Sequence, residues 1–257
     1  IQKSREYLNR KINESDEPLY GITTGFGSLH KKSISNSQLS QLQQNLLVSH
    51  ATGVGTELEA DVVRMMLFLK AHALSLGHSG VQLPTVERIV DMFNKDMLPV
   101  VYDRGSLGAS GDLAPLAHLF LPLLGLGDVY LKGQRMPSSQ ALKKMGWKPL
   151  ELHSKEGLAL LNGTQFMSAH GVWAVMKAKR MLHISDMVAA LSLDVFDGRL
   201  DPYYEAIQEI RPHQGQIATG RNVRQWLDNS EMAARKKAHV QDPYSFRCVP
   251  QVHGASK

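Results

Sequence analysis

The longest uninterrupted pattern in the chain runs from Thr164 to about Phe196. No proline or glycine pair breaks its helical spacing of Phe166, Trp173, Met176, Met181, Ile184, Val188, Leu191 and Val195. A helix of that length belongs to a bundle or a coiled assembly, and its apolar face would be buried on partners beyond this segment. Composition points the same way, because aromatics make up only 7% of the chain while Met and Leu are plentiful, which favours helix over a sandwich or barrel. We expect an all-α, mainly helical fold in two parts. Residues 1–160 form an N-terminal helical domain with a small hairpin, and residues 161–257 begin a central helical bundle.

With 257 residues, 43% of them apolar, the chain can bury a real core. Its one cysteine, Cys248, excludes an internal disulfide framework and suits a reducing cytoplasm. No secretory segment is visible at its start. The longest apolar run, Leu113 to Leu126, carries His118, Pro115 and Pro122 and is too short to span a bilayer, so no membrane partner is expected. The net charge of +5 comes from bases scattered among 24 acids. The one tight basic cluster, Arg235-Lys236-Lys237, has no interleaved aromatics; it reads as a solvated segment and not as a nucleic-acid site. The 11 histidines show neither His-Glu-x-x-His nor a cysteine cluster, so no metal site is expected.

Before the long helix the punctuation is regular. Ile1, Tyr7, Leu8 and Ile12 suggest a first helix over residues 1–13. Ser35, Asn36 and Ser37 offer caps for a helix through Leu39, Leu42, Leu46 and Leu47 that ends near Ser49-His50. Further helices run from about Glu59 to Leu76, and from Pro84 with Val86, Ile89, Val90 and Phe93 on one face. Asp128–Arg135 reads as a hairpin with a Lys-Gly turn, and Ser138 caps a short helix that Gly146 ends. Another helix covers Gln216 to Leu227.

Two stretches carry chemistry. Leu19-Tyr20-Gly21-Ile22-Thr23-Thr24-Gly25-Phe26-Gly27 is a glycine-punctuated loop, either an ordinary surface loop or a lid whose tyrosine moves a proton. Gly105-Ser106-Leu107-Gly108-Ala109-Ser110-Gly111-Asp112 is nearly free of side-chain bulk. Gly108 and Gly111 can take backbone angles closed to other residues, and Asp112 before Leu113-Ala114-Pro115 reads as an N-cap with proline in the first turn. Such a loop can be a structural turn or an anion cradle at a helix N-terminus. It can also do chemistry with its own backbone. If the Gly111 nitrogen is pressed onto the Ala109 carbonyl carbon, attack and loss of water close a five-membered ring, and loss of a second water from Ser110 leaves an exocyclic C=CH2. The spacing does not fit a nucleophile elbow, and no Gly-Lys-Ser/Thr follows to make a P-loop.

Four motifs in this order resemble the histidine and phenylalanine ammonia-lyase family: Tyr20–Gly27, Gly105–Leu113, Asn162-Gly163-Thr164, and Gln241-Asp242-Pro243-Tyr244-Ser245-Phe246-Arg247. The resemblance implies an ammonia-lyase/fumarase-like helical fold. It implies that Ala109, Ser110 and Gly111 condense into a methylidene-imidazolone, an electrophile needing no external cofactor. An amino-acid amine that adds to it becomes able to leave once a base takes the β-proton. Tyr20 matches the catalytic tyrosine, whose phenol, ordinarily titrating near ~10, needs a lowered pKa for that task. Arg247 matches the residue that pairs with the substrate carboxylate. Asn162, Tyr244 and Gln241 match residues lining the ring and the substrate, and Asp112 matches one that holds the loop.

His50 matches the position facing the substrate side chain, where histidine lyases carry His, phenylalanine lyases typically Phe, and a tyrosine lyase can also carry His. The closing motif and Arg211-Pro212-His213-Gln214-Gly215-Gln216 look more like histidine lyases. The resemblance therefore implies L-histidine going to trans-urocanate and ammonia, the first step of histidine breakdown, in a cytoplasmic homotetramer with active sites shared between subunits. The alternatives are a tyrosine or phenylalanine lyase or aminomutase, and a non-catalytic helical assembly fragment. Members are roughly twice as long, so this chain would correspond to part of one.

Overall fold

The computed structural model describes residues 1–14, 18–24 and 38–257. Gly25, Phe26 and Gly27 of the tyrosine loop and the caps Ser35, Asn36 and Ser37 lie outside the described residues. The fold is mainly helical, as the composition indicates. Contacts group the chain into two compact units, Ile1–Val172 and Trp173–Lys257.

In the first unit, α1 (Gln2–Glu14) buries Leu8 against Gly80, and Arg5 donates to the carbonyls of Gly80 and Ser154 at 3.1 and 2.9 Å. α2 (Leu39–His50) buries Leu39, Gln43, Leu46 and Leu47, the spacing of one helical face, and places His50 in its last turn. β1 (Val54–Glu57) follows, a strand that the glycines at 53 and 55 conceal from a periodicity reading. α3 (Ala60–Ser75) and α4 (Leu83–Asn94) pack on each other. On α4 the buried face is Thr85, Val86, Ile89 and Met92; Val90, expected on it, lies one residue past Ile89 and is exposed.

β2 (Met97–Pro99) and β3 (Tyr102–Arg104) then carry the chain into the small-residue loop. β3 pairs antiparallel with β1, which fixes the segment after His50 beside the segment before the loop. α5 (Leu113–Phe120) leaves the loop almost wholly buried and tightens into a 3-10 turn at Leu121–Leu124, where Pro122 cannot continue an α-helix.

β4 (Asp128–Leu131) and β5 (Gln134–Pro137) form the expected hairpin, with β2 on the far side of β4. Lys132 and Gly133 turn it at φ 50° and 80°. α6 (Ser138–Met145) ends at Gly146 as expected, but Ser138 is its first helical residue and not its cap. The capping position falls to Pro137, and the buried Ser138 hydroxyl has no hydrogen-bond partner. α7 (Glu156–Leu161) closes on α2 because Gly157 has no side chain: a Cβ there would stand 2.7 Å from the Gln43 carbonyl oxygen. The core of this unit gathers Leu47, Met66, Leu67, Ile89, Leu116 and Phe120.

α8 (Gln165–Val195) is the long helix, 31 residues, as its pattern requires. Met176, Met181, Val188, Leu191 and Val195 along it are all more than half exposed. In the second unit, a 3-10 turn at Asp201–Tyr203 leads to α9 (Glu205–Glu209), α10 (Gln214–Trp226), α11 (Glu231–Ala234), α12 (Tyr244–Arg247) and α13 (Val249–Ala255). α10 and α13 cross at two glycines; a Cβ on Gly215 would lie 2.2 Å from the Gly254 carbonyl oxygen. The small core holds Ala190, Leu193, Tyr203, Val223, Leu227 and Val249. The basic cluster is not simply solvated. Arg235 and Lys237 both reach Asp197, at 3.0 and 2.8 Å, and hold its carboxyl down at about 2.

Candidate active site

The Gly105–Asp112 loop is built on backbone angles that glycine alone takes easily: φ is 133° at Gly105, 75° at Gly108 and 112° at Gly111. Gly105 passes so close to Gly53 that a Cβ would stand 3.0 Å from its Cα. The N–H of Gly53 donates to His118 Nε2 at 3.0 Å, and the His118 ring meets Tyr102 edge-on. Burial lowers the His118 pKa, which keeps that nitrogen available as an acceptor.

The far end of the loop is clamped by the Asn162-Gly163 turn. The N–H of Asp112 donates to the Gly163 carbonyl at 2.8 Å, and Asn162 Nδ2 donates to the Ser110 carbonyl at 3.4 Å. A Cβ on Gly111 would lie 2.6 Å from the Gly163 oxygen and 2.9 Å from its nitrogen, so no larger residue fits there. Asp112 occupies the capping position of α5 but makes no side-chain bond to that helix; its carboxylate takes the Ser106 hydroxyl and the Met167 N–H. The sequence puts Asp112 at a helix start correctly, and the helix its side chain serves is α8.

Ala109, Ser110 and Gly111 line a cavity of about 200 Å³ with His50, Thr52 and Leu107. The residue matched to the substrate side chain and the residues matched to the electrophile therefore share one space. Asn162 joins them through Ser110. His50 also makes the ordinary helix-end contact, its Nδ1 2.8 Å from the Leu46 carbonyl oxygen and 3.2 Å from the Ser49 hydroxyl. Tyr20 stands on a tight turn where Leu19 N–H donates to the Thr23 hydroxyl and Gly21 N–H to that of Thr24; it is 61% exposed and is not part of the cavity wall.

Gln241, Tyr244 and Arg247 come together in the second unit. The Arg247 guanidinium lies 4.5 Å from the centre of the Tyr244 ring, and the Gln241 amide, assigned with its oxygen toward the guanidinium because only donors face it there, accepts from Arg247 Nε and Nη2 at 3.2 Å. The turn is held from beneath. Asp242, 4% exposed, accepts from the Arg199 N–H at 2.6 Å and meets His239 Nε2 at 2.5 Å, while the buried Tyr203 hydroxyl donates to the Phe246 carbonyl. Burial, with the Asp242 carboxylate nearby, raises the Tyr203 phenol above its ordinary value, so it stays a donor.

Sequence reasoning missed three supporting side chains, Lys70, His118 and Tyr203. Lys70 had a readable signal, a lone charge in register with Val63, Met66, Leu67 and Leu74 on the buried face of α3. His118 was visible inside the apolar run, while Tyr203 carried no signal at all. Among the described residues, no group of His, Cys, Asp or Glu is arranged to hold a metal, and no helix is long and apolar enough to cross a membrane.

A model of the aromatic amino acid lyase family matches residues 1–257. The chain belongs to that family. A histidine ammonia-lyase from Caldanaerobacter subterraneus subsp. tengcongensis is 46% identical over 256 residues, covering 99% of this chain and 50% of the relative. Among solved structures, a histidine ammonia-lyase from Trypanosoma cruzi is similar with a TM-score of 0.85 and 36% identity, over 99% of this chain and 47% of that one. A tyrosine aminomutase from Streptomyces globisporus is similar with a TM-score of 0.85 and 35% identity, over 98% of this chain and 51% of that one. This family member thus spans about half the length of the curated relatives it matches.

Proposed function

We propose that this chain is the loop-bearing part of a histidine ammonia-lyase that converts L-histidine to trans-urocanate and ammonia. The observation that carries the reading is the single cavity shared by His50 and Ala109-Ser110-Gly111, with Gly111 packed against Gly163 where no Cβ fits. That cradle suits ring closure. The Gly111 nitrogen bonds to the Ala109 carbonyl carbon, the carbonyl oxygen leaves as water, and Ser110 loses its hydroxyl as a second water. The resulting methylidene-imidazolone supplies an electrophile for the substrate amine, with no external cofactor.

The other roles belong to the chain's own side chains. Arg247 takes the substrate carboxylate, and its stacking on Tyr244 and contact with Gln241 keep the guanidinium in one orientation. His50 faces the substrate side chain, Asn162 holds Ser110, and Tyr20 removes the β-proton. The exposed apolar positions of α8 support a homotetramer in which that helix is covered, and the single cysteine supports a cytoplasmic setting.

The test is the intact mass of the denatured full-length protein, followed by turnover of L-histidine. A mass lower by two waters, restored in Ser110→Ala to that variant's unmodified value, together with trans-urocanate as product, is the expected result. An unshifted mass would overturn the lyase reading in favour of a helical scaffold. The likeness to a tyrosine aminomutase favours one alternative: a shifted mass with L-tyrosine as the better substrate would replace the histidine assignment.

A further inference from the structure

Lys70 lies on the buried face of α3 and is 1% exposed. A lysine there carries a desolvation cost, and burial lowers its ammonium to about 7. Among the described residues no carboxylate pairs with it. Its partners are the Asn162 carbonyl oxygen at 2.8 Å, the Gln165 side-chain oxygen at 3.4 Å and the Phe120 ring, 5.9 Å away at its centre. Methionine or leucine would fill the same space without the cost, so packing alone gives no reason for a lysine.

The acceptors supply the reason. Asn162 and Gly163 form the turn on which the Ala109–Gly111 loop rests, and that turn is gripped from two sides. On one side are the Asp112 N–H, the Ser110 carbonyl and the Gly111 backbone. On the other are Lys70 and Gln165, and a Cβ on Gly163 would stand 2.1 Å from the Gln165 oxygen. Gly163 has φ 150°, an angle that few other residues tolerate, so the turn has little intrinsic preference for its shape and needs outside contacts to keep it. Charged or neutral, the Lys70 amine carries N–H donors, so it can hold the Asn162 carbonyl in either state. With the Asn162 carbonyl drawn inward, its side-chain amide and the Gly163 peptide are turned toward the loop.

We propose that Lys70 is a positioning residue for the self-formed electrophile: from behind the Asn162-Gly163 turn it pins the Asn162 carbonyl. The turn is thereby kept pressed on Gly111, in the close approach that ring closure needs, and Asn162 is kept on Ser110. This rests on the lyase reading above. Lys70 acts through Asn162 and Gly163 and not on the substrate.

The experiment compares Lys70→Met and Lys70→Gln with the wild type in the full-length protein, reading intact mass, melting temperature, kcat and KM. Lys70→Met removes the donor and keeps the volume; Lys70→Gln keeps a neutral donor. The expected result is a wild-type mass lower by two waters and a much smaller share of ring-bearing chains in Lys70→Met at nearly unchanged melting temperature. Normalised to ring content, kcat falls about tenfold while KM changes little, as loss of one buried hydrogen bond implies. Lys70→Gln recovers part of both. Wild-type ring content and kcat in Lys70→Met would overturn the proposal. So would variants that melt lower yet form the ring and turn over normally in every folded chain, because Lys70 would then be only structural. An unshifted mass in the wild type itself would mark the failure of the lyase reading, a separate result that would remove the proposal's basis.

Discussion

The Asp112 carboxylate ties the start of one helix to the start of another: it stands at the head of α5, and its Oδ2 accepts from the Met167 N–H at 3.0 Å, 55 residues further along, in the first turn of α8. Its Oδ1 accepts from the Ser106 hydroxyl at 2.8 Å, closing the loop between them. Asp112 is 2% exposed, so Asp112→Ala removes two part-buried hydrogen bonds at once. That variant should lose about 2–3 kcal/mol in denaturant unfolding, and Asp112→Asn, whose oxygen still serves Met167, should lose less. Equal stability of Asp112→Ala and wild type would show that the carboxylate does not hold the two helices.

Gly111→Ala tests the cradle directly. The added Cβ would meet backbone atoms of Gly163 at 2.6 and 2.9 Å, at a residue whose φ of 112° is already closed to alanine. Neither atom is the end of a flexible side chain, so the loop must lift off the turn. We expect no ring in this variant, read as an intact mass without loss of two waters, with the helices retained by circular dichroism. A fully cyclised Gly111→Ala would contradict the close approach argued for this loop.

His118 ties α5 to Gly53, the residue after the cavity-lining Thr52, and sets a pH dependence. Its Nε2 accepts from Gly53 at 3.0 Å and can do so only when unprotonated. Burial lowers its folded pKa, so near and below the ordinary value the unfolded chain binds a proton that the folded one resists. The contribution is present above about 6.5 and is lost as the pH falls toward the folded pKa. His118→Gln lacks it. The stability gap between wild type and His118→Gln should therefore be wider at pH 7.5 than at pH 5, measured by urea unfolding at each; a gap that does not narrow in acid argues against this role.

Tyr203 offers a parallel test in the second unit. Its buried hydroxyl donates to the Phe246 carbonyl, one residue before Arg247. Tyr203→Phe should cost about 1–3 kcal/mol, because the carbonyl is left without its donor. With Arg247 in its proposed role, KM for the amino acid should rise more than kcat falls; a changed kcat with unchanged KM would place the effect elsewhere.

The longer helices were legible in the sequence because amphipathic spacing, glycine stops and Pro84 are local signals, and the 31-residue α8 is their plainest case; the short α9, α11 and α13 were not. The hairpin at Lys132-Gly133 was legible for the same reason. β1 and β3 were not, since three- and four-residue strands flanked by glycine carry too little periodicity and their pairing is long-range. In the site, the small-residue loop and the helix start at Asp112 could be read from Gly105–Asp112. What braces it could not: Asp112 bonds to Met167 and Lys70 to Asn162 across the fold, and no local pattern records such contacts. Ser138 and Val90 mark the smaller limits, one residue of register at a helix start and one step around a helix.

In the proposed reading His50 sets the substrate preference, and its geometry gives the sign of the expected change. Its Nδ1 lies 2.8 Å from the Leu46 carbonyl, which calls for the proton on that nitrogen and leaves Nε2 of the neutral ring as an acceptor. An acceptor in the cavity wall suits a side chain that brings an N–H or O–H, as imidazole and phenol do, and gives phenylalanine nothing. His50→Phe removes the acceptor and makes that wall apolar. Its kcat/KM for L-histidine should fall by about 10–100-fold, the scale of one lost hydrogen bond in a site built around it, while that for L-phenylalanine rises or holds. The shift should appear with ring content unchanged by intact mass, because His50 lines the cavity without bracing the loop. If the ratio of the two rates is the same in His50→Phe as in wild type, the wall at His50 does not read the side chain, and specificity must be set by residues elsewhere around the site.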